Sequence, residues 1–267
     1  MSLSAILFLF LTHLGVGITL VLAWVGREAG VKFFRFNAGT AALLIAFGLA
    51  LRPGSDHPGT LNTAALASLI VAEAALVVYW ATIGRMLAKV RPALLWTTIA
   101  GGVIAVTLQA LDISRDAQGL MPLLTVASFL SSVVLLGGAC GAMVLGHWYL
   151  VVPSLDVAHL QSIVRLHIGS MVVRVVVVAT AVTIAIVTWQ PGFPNFERYI
   201  FSVDGIFFWQ RVLFGLAGPA VLSYLTWETA KIQSTQSATG ILYVDFFTVI
   251  VGEVLAKYLL LSTKVPV

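Results

Sequence analysis

Charged side chains are scarce in this chain: Asp, Glu, Lys and Arg make up only 10% of its 267 residues. Soluble domains carry about 25% of such residues, so the composition argues against a soluble globular fold. The formal net charge of +4 is too small for the dense basic surface that nucleic-acid binding needs. We therefore expect no nucleic-acid partner.

Cysteine is nearly absent as well. The single cysteine, Cys140, excludes an intramolecular disulfide framework and every thiolate cluster for zinc or iron–sulfur. The chain also lacks the phosphate-binding G-x-x-x-x-G-K-[ST] loop and the G-x-G-x-x-G, H-E-x-x-H, C-x-x-C-H and G-x-S-x-G motifs. ATP hydrolysis, nicotinamide binding, zinc proteolysis, covalent haem attachment and α/β-hydrolase catalysis therefore have no support.

Apolar residues dominate instead, at 60% of the chain and a mean hydropathy of +1.02. A helix needs roughly 20 apolar residues to cross a bilayer. Apolar runs suited to crossing occur at 3–24, 37–51, 61–84, 93–111, 122–152, 160–189, 205–227 and 238–261. We expect an all-α polytopic membrane protein. Its single domain, residues 1–267, would hold eight transmembrane helices in a compact bundle with short loops.

Basic residues are distributed unevenly between the two sides that eight spans create. The loops after odd-numbered spans hold Arg27, Lys32, Arg35, Arg85, Lys89, Arg91, Arg165 and Lys231. The opposite side holds Arg52, Arg115, Arg198, Arg211 and Lys264. Because cytoplasmic loops are enriched in Lys and Arg, both termini are expected on the outer side of a membrane, of the prokaryotic cytoplasmic type.

Five ionisable side chains fall inside the expected spans, where each costs a few kcal/mol and becomes a functional hypothesis. They are Glu73, Arg174, Asp245, Glu253 and Lys257. Glu253 and Lys257 are four residues apart, which is one helical turn. Two interpretations stay open: an internal ion pair that fixes packing, or a proton route from Asp245 to Glu253 tuned by Lys257 or Arg174.

Three histidines, His13, His147 and His167, also fall inside spans. A b-type haem needs two neutral imidazoles from facing helices and small residues beside the porphyrin. Glycines and alanines recur just before His147, in LLGGACGAMVLGH. The ligand pair would be His147 with His167, whose expected depths differ by roughly 9 Å, or His13 with His167. Such a small-residue stripe is also typical of close helix packing without a cofactor.

Arg174 shares one face of the sixth span with His167 and Met171, at spacings of four and seven residues. Its guanidinium could contact a haem propionate, a quinone carbonyl or a carboxylate such as Glu253. Quinone binding needs a polar donor in an apolar crevice. Both haem b and quinone are therefore candidate cofactors.

The general pattern, short loops with a few intramembrane histidines and isolated buried charges, resembles the membrane anchor subunits of respiratory oxidoreductases. The resemblance implies a redox subunit that binds haem or quinone and exchanges electrons between partner subunits and the quinone pool. His13, His147 and His167 would be ligands, and Asp245 and Glu253 the proton route. The alternatives are a proton-coupled transporter or channel lined by the five ionisable residues, Glu73 included, and a cofactor-free accessory subunit of a larger complex.

Overall fold

The computed structural model describes residues 2–54, 59–86, 88–152, 157–188 and 195–267. All regular secondary structure in these ranges is helical. The helices are α1 Leu3–Trp24, α2 Gly30–Ala50, α3 Thr60–Thr82, α4 Arg91–Ile113, α5 Met121–Val151, α6 Val157–Val187, α7 Phe196–Ile200, α8 Ile206–Val212, α9 Gly218–Lys231 and α10 Thr235–Thr263. Short 3₁₀ turns lie at Arg27–Ala29 and Val203–Gly205, and a π-helical turn, Leu213–Ala217, joins α8 to α9.

Seven helical segments in the described residues are long and apolar enough to cross a membrane, as expected of an integral membrane protein in a lipid bilayer. They are α1, Arg27–Ala50, α3, α4, α5, α6 and Ile206–Lys231. Helix α10 is also long, at 29 residues, but it carries three ionisable side chains and is not among the seven. The all-helical membrane fold is therefore confirmed, with seven of the eight expected spans.

The helix bounds agree closely with those predicted from the sequence, except at the second span. That span was predicted to begin at residue 37, but α2 begins at Gly30. The predicted span began only after the charges of Lys32 and Arg35. The helix accommodates both charges, because Lys32 is exposed and the guanidinium of Arg35 lies 5.7 Å from the centre of the Trp80 ring. Parts of three loops between the expected spans, those after the second, fifth and sixth spans, lie outside the described residues.

Helix α5 is the centre of the bundle and packs against α1, α4, α6 and α10. Its small residues are the reason. A side chain at Gly137 would overlap the backbone of Gly17 on α1, and one at Gly138 would lie 3.4 Å from the Cα atom of His167 on α6. One at Gly146 would contact α10. The glycine stripe therefore brings neighbouring helices close together, as in other membrane bundles.

Candidate functional site

Five polar side chains meet where α5, α6, α8 and α10 converge, and we name them the Glu253 cluster: Ser132, Arg174, Arg211, Glu253 and Lys257. None is more than 2% exposed. One oxygen of the carboxylate, Glu253 Oε1, accepts hydrogen bonds from Arg174 Nε at 3.0 Å and from Arg211 Nη2 at 2.9 Å. Charge-assisted bonds of this kind are the strong ones, so this carboxylate links three helices.

The other carboxylate oxygen of Glu253 faces α5 and the next turn of its own helix. Glu253 Oε2 accepts from Ser132 Oγ at 2.5 Å and from Lys257 Nζ at 3.4 Å. The Ser132 hydroxyl in turn accepts from Lys257 Nζ at 2.7 Å. The expected pairs of Glu253 with Lys257 and with Arg174 are thus both present, and Ser132 bridges the first.

Arg174 makes a second bond to the carboxylate and also donates to backbone and hydroxyl groups. Its Nη1 donates to the Ser128 hydroxyl at 2.6 Å and to the Ser128 carbonyl at 3.0 Å. Its Nη2 donates to Glu253 Oε2 and to the Val267 carbonyl, each at 3.3 Å. This last contact exists because Lys264, the residue after α10, has a left-handed conformation with φ +62°. The chain then turns back into the bundle and buries Val265 and Val267.

Arg211 is the charged residue of the cluster that sequence reasoning misplaced, and Ser132 is the uncharged one that it did not single out. Arg211 was counted among the outer loop charges, but the structure buries it completely, so that assignment was wrong. Its position six residues inside the predicted 205–227 span was the available signal. Its Nη1 donates to the Gly215 carbonyl at 2.7 Å, within the π-helical turn. Such turns are frequent at functional sites because they alter the regular backbone pattern.

The Glu253 cluster holds more positive than negative charge. Arg174, Arg211 and Lys257 face a single carboxylate in the described part of the chain. Buried charges are tolerated when they are paired and hydrogen-bonded, and here one anion serves all three cations. The cluster therefore depends on Glu253 more than on any one of its cations.

A second acid–base pair lies on α6 and α10, the helices that also carry Arg174 and Glu253. His167 Nε2 of α6 is 2.6 Å from Asp245 Oδ2 of α10, and both side chains are fully buried. The angles are not those of a hydrogen bond, and His167 Nδ1 has no partner among the described residues. Asp245, expected on a route to Glu253, is thus paired with a histidine. This pairing was not anticipated.

The other two candidate histidines occupy different surroundings. His13 on α1 is fully buried, and its Nδ1 lies 3.4 Å from Ser132 Oγ. His147 is exposed and its Nδ1 lies 3.0 Å from the Tyr243 hydroxyl. His147 follows Gly138, which contacts His167, by nine residues, or two and a half turns. It therefore points to the opposite side of α5, and the structure does not bring His147 and His167 together.

Glu73 stands apart from the other ionisable candidates. It is half-buried on α3, a helix that packs against α4 and α2. Its Oε2 has no hydrogen-bond partner within the described ranges. Among the described residues, the structure therefore does not join Glu73 to the Glu253 cluster through a hydrogen bond or an ion pair.

Within the residues that the structure describes, no group of three or more His, Cys, Asp or Glu side chains could hold a metal ion. The chemistry of the site is that of paired acids and bases. Comparison with protein-family models and with curated proteins found no match to this chain.

Proposed function

We propose that this chain is a proton-translocating membrane protein, a coupled transporter or a channel, whose path includes the His167–Asp245 pair and the Glu253 cluster. The observation that carries the proposal is the stacking of two fully buried acid–base sites on the same pair of helices. Intramembrane ionisable residues that face the bundle interior are typical of proton relays.

The two sites follow each other in the same order, and at similar spacing, along α6 and along α10. Arg174 follows His167 by seven residues on α6, and Glu253 follows Asp245 by eight on α10, which are rises of about 10 Å and 12 Å. The two helices therefore run in the same direction, as the sixth and eighth spans of an eight-span protein would. This relation supports α10 as an eighth span with both termini on one side of the membrane.

Two further features support that topology. The exposed side of α10 presents Tyr243, Val244 and Phe247, which suits contact with lipid, while its charges face inward. Removing the buried Arg211 from the outer set leaves four basic residues there against eight on the other side. The larger bias favours termini on the outer side.

The residues of the two sites differ in whether they can exchange protons. Guanidinium groups stay charged in proteins, whereas carboxyl, imidazole and amine groups can titrate. His167 and Asp245 belong to this second kind, and they face each other at 2.6 Å. Lys257 is the one cation of the Glu253 cluster that can release a proton, which would reduce the excess positive charge while its bond to Ser132 remains. In this proposal the two arginines supply a fixed positive charge, and His167, Asp245 and Lys257 carry the proton.

Replacement of Asp245 by Asn should abolish proton entry, because an amide cannot titrate. Proteoliposomes on a solid-supported membrane give a transient current after a pH jump when protons enter a buried site, even without a second transported species. We expect a current from the natural protein, none above empty liposomes from Asp245→Asn, and full current from Asp116→Asn, whose side chain is exposed.

A natural protein that gives no more current than empty liposomes, while gel filtration shows it folded, would contradict the proposal and favour the accessory role. Equal currents from Asp245→Asn and the natural protein would remove Asp245 from the path.

Haem or quinone binding, with redox partner subunits, stays a prediction. His13 Nε2 and His167 Nδ1 lack partners among the described residues and could each serve as a ligand to a haem iron. They contact α5 at Ser132 and Gly138, however, and six residues correspond to about 9 Å, a poor arrangement for two ligands of one iron. For the proton proposal we expect a flat visible spectrum in purified protein before and after dithionite. A Soret band lost in His13→Ala or His167→Ala would favour the redox function instead.

A further inference from the structure

A pocket lies at one end of the bundle, where five helices begin or end. It has a volume of about 230 Å³. Most of its lining is apolar, but four polar residues also line it: Arg52 just after α2, Asn62 on α3, and Gln109 and Asp112 on α4. Liquid water takes roughly 30 Å³ per molecule, so the pocket has room for several waters, and the four polar side chains can serve as their hydrogen-bond partners.

One lining residue indicates that the pocket is hydrated. Gln109 is only 7% exposed, and its Oε1 is buried without a hydrogen-bond partner among the described residues. An amide oxygen in that position costs free energy unless something donates to it. Gln109 lines the pocket, so rotation of its amide toward the pocket would give this oxygen a water or hydronium donor.

The pocket ends one helical turn from the Glu253 cluster. Its apolar wall includes Leu9 on α1 and Leu261 on α10. His13 lies four residues beyond Leu9, and Lys257 four residues before Leu261, so each basic group is about 5.4 Å further along its helix. The ring of Phe129 contacts both, at 4.7 Å from the His13 ring and 5.2 Å from Lys257 Nζ.

We infer that this pocket is the aqueous entrance through which water and hydronium reach the Glu253 cluster, with Leu9 and Leu261 as a thin apolar barrier. His13 is the first titratable group behind the barrier, and its unpartnered Nε2 takes up the incoming proton. Once Lys257 has released its own proton, His13 Nδ1 gives a proton to the Ser132 hydroxyl, which gives its own to the neutral Lys257 amine. This inference rests on the proposed proton function for its role, but the hydration of the pocket can be measured separately.

Thiol labelling tests the entrance directly. The background is Cys140→Ala, which removes the single native thiol. A permanently charged methanethiosulfonate reacts with thiolates, which form in water and not in lipid. We expect Gln109→Cys to be labelled at least about tenfold faster than Leu108→Cys. Leu108 is at the same depth on α4 but does not line the pocket.

The barrier is tested by His13→Cys. We expect slow labelling at this position, and labelling about tenfold faster when Leu261→Ala is added, because the smaller side chain lets water past. Unchanged labelling of His13→Cys in the Leu261→Ala background would overturn the barrier.

The two proposals fail in different ways. Equal labelling of Gln109→Cys and Leu108→Cys, with a normal pH-jump current, would overturn the entrance and leave the proton function intact. Selective labelling of Gln109→Cys without any current would support a hydrated pocket but overturn the proton function, and with it the role of the entrance. If both hold, labelled Gln109→Cys should lose the current, because the attached group fills the pocket.

Discussion

Replacement of Glu253 by Gln is expected to destabilise the protein by about 3–5 kcal/mol, the cost of removing one partner from a buried ion pair. The loss falls at the high end because Arg174, Arg211 and Lys257 share this carboxylate. Without it, three cations are buried with no counter-ion in the cluster. Thermal unfolding in detergent, followed by gel filtration of the heated protein, measures the effect.

Glu228→Gln is the matched control, because the Glu228 side chain is 44% exposed and, among the described residues, forms its ion pair with the partly exposed Lys231. Surface pairs contribute about 0–1 kcal/mol, so this variant should unfold with the natural protein. Adding Arg211→Gln to Glu253→Gln removes one buried cation and should restore part of the stability. If Glu253→Gln unfolds at the same temperature as Glu228→Gln, the carboxylate does not hold the cluster together.

Gly137→Ala is the second substitution with a large expected effect. The new methyl group would overlap the carbonyl oxygen of Gly17 on α1, and backbone cannot move aside as a flexible side chain can. Overpacking costs typically 1–3 kcal/mol and occasionally more, and we expect about 3 kcal/mol here. The unfolding temperature in detergent should fall, and Gly137→Leu should fail to give folded protein.

Gly240→Ala is the control for helix propensity, because no heavy atom lies within 4 Å of the position its Cβ would take. Alanine is favoured over glycine in a helix by roughly 1 kcal/mol, so this variant should be as stable as the natural protein or slightly more so. Equal unfolding temperatures for the two alanine variants would contradict this prediction and show that α1 and α5 can move apart without loss of stability.

The sequence was most informative about features that depend on a residue itself and on its near neighbours in the chain. The cost of placing Glu253, Lys257 and Arg174 in hydrocarbon depends on the residues themselves, so their burial could be predicted. Glu253 and Lys257 are one turn apart on one helix, so their pairing could be predicted as well. Helix bounds depend on local hydropathy, and α1 was predicted at both ends. Arg211 was misplaced because it lies near the start of its span, where a charge is usually solvated.

Contacts between distant helices could not be predicted in the same way. The pairing of His167 with Asp245 requires α6 and α10 to be neighbours, and periodicity does not reveal which helices touch. The direction of His147 depends on the rotation of α5, which its glycines set by packing against α1, α6 and α10. The glycine stripe was visible in the sequence, but only its partners distinguish close packing from a cofactor pocket.

The order of the cluster residues along the chain affects how the protein is made. Arg174 and Arg211 precede Glu253 by 79 and 42 residues, so the ribosome delivers both guanidiniums before their shared carboxylate exists. At about 5–20 residues per second, Arg174 waits several seconds. An unpaired arginine at the centre of a span costs about 2.5–3.5 kcal/mol on insertion scales. We therefore expect release of α6 and of the Ile206–Lys231 segment from the insertion machinery into lipid to follow the synthesis of α10.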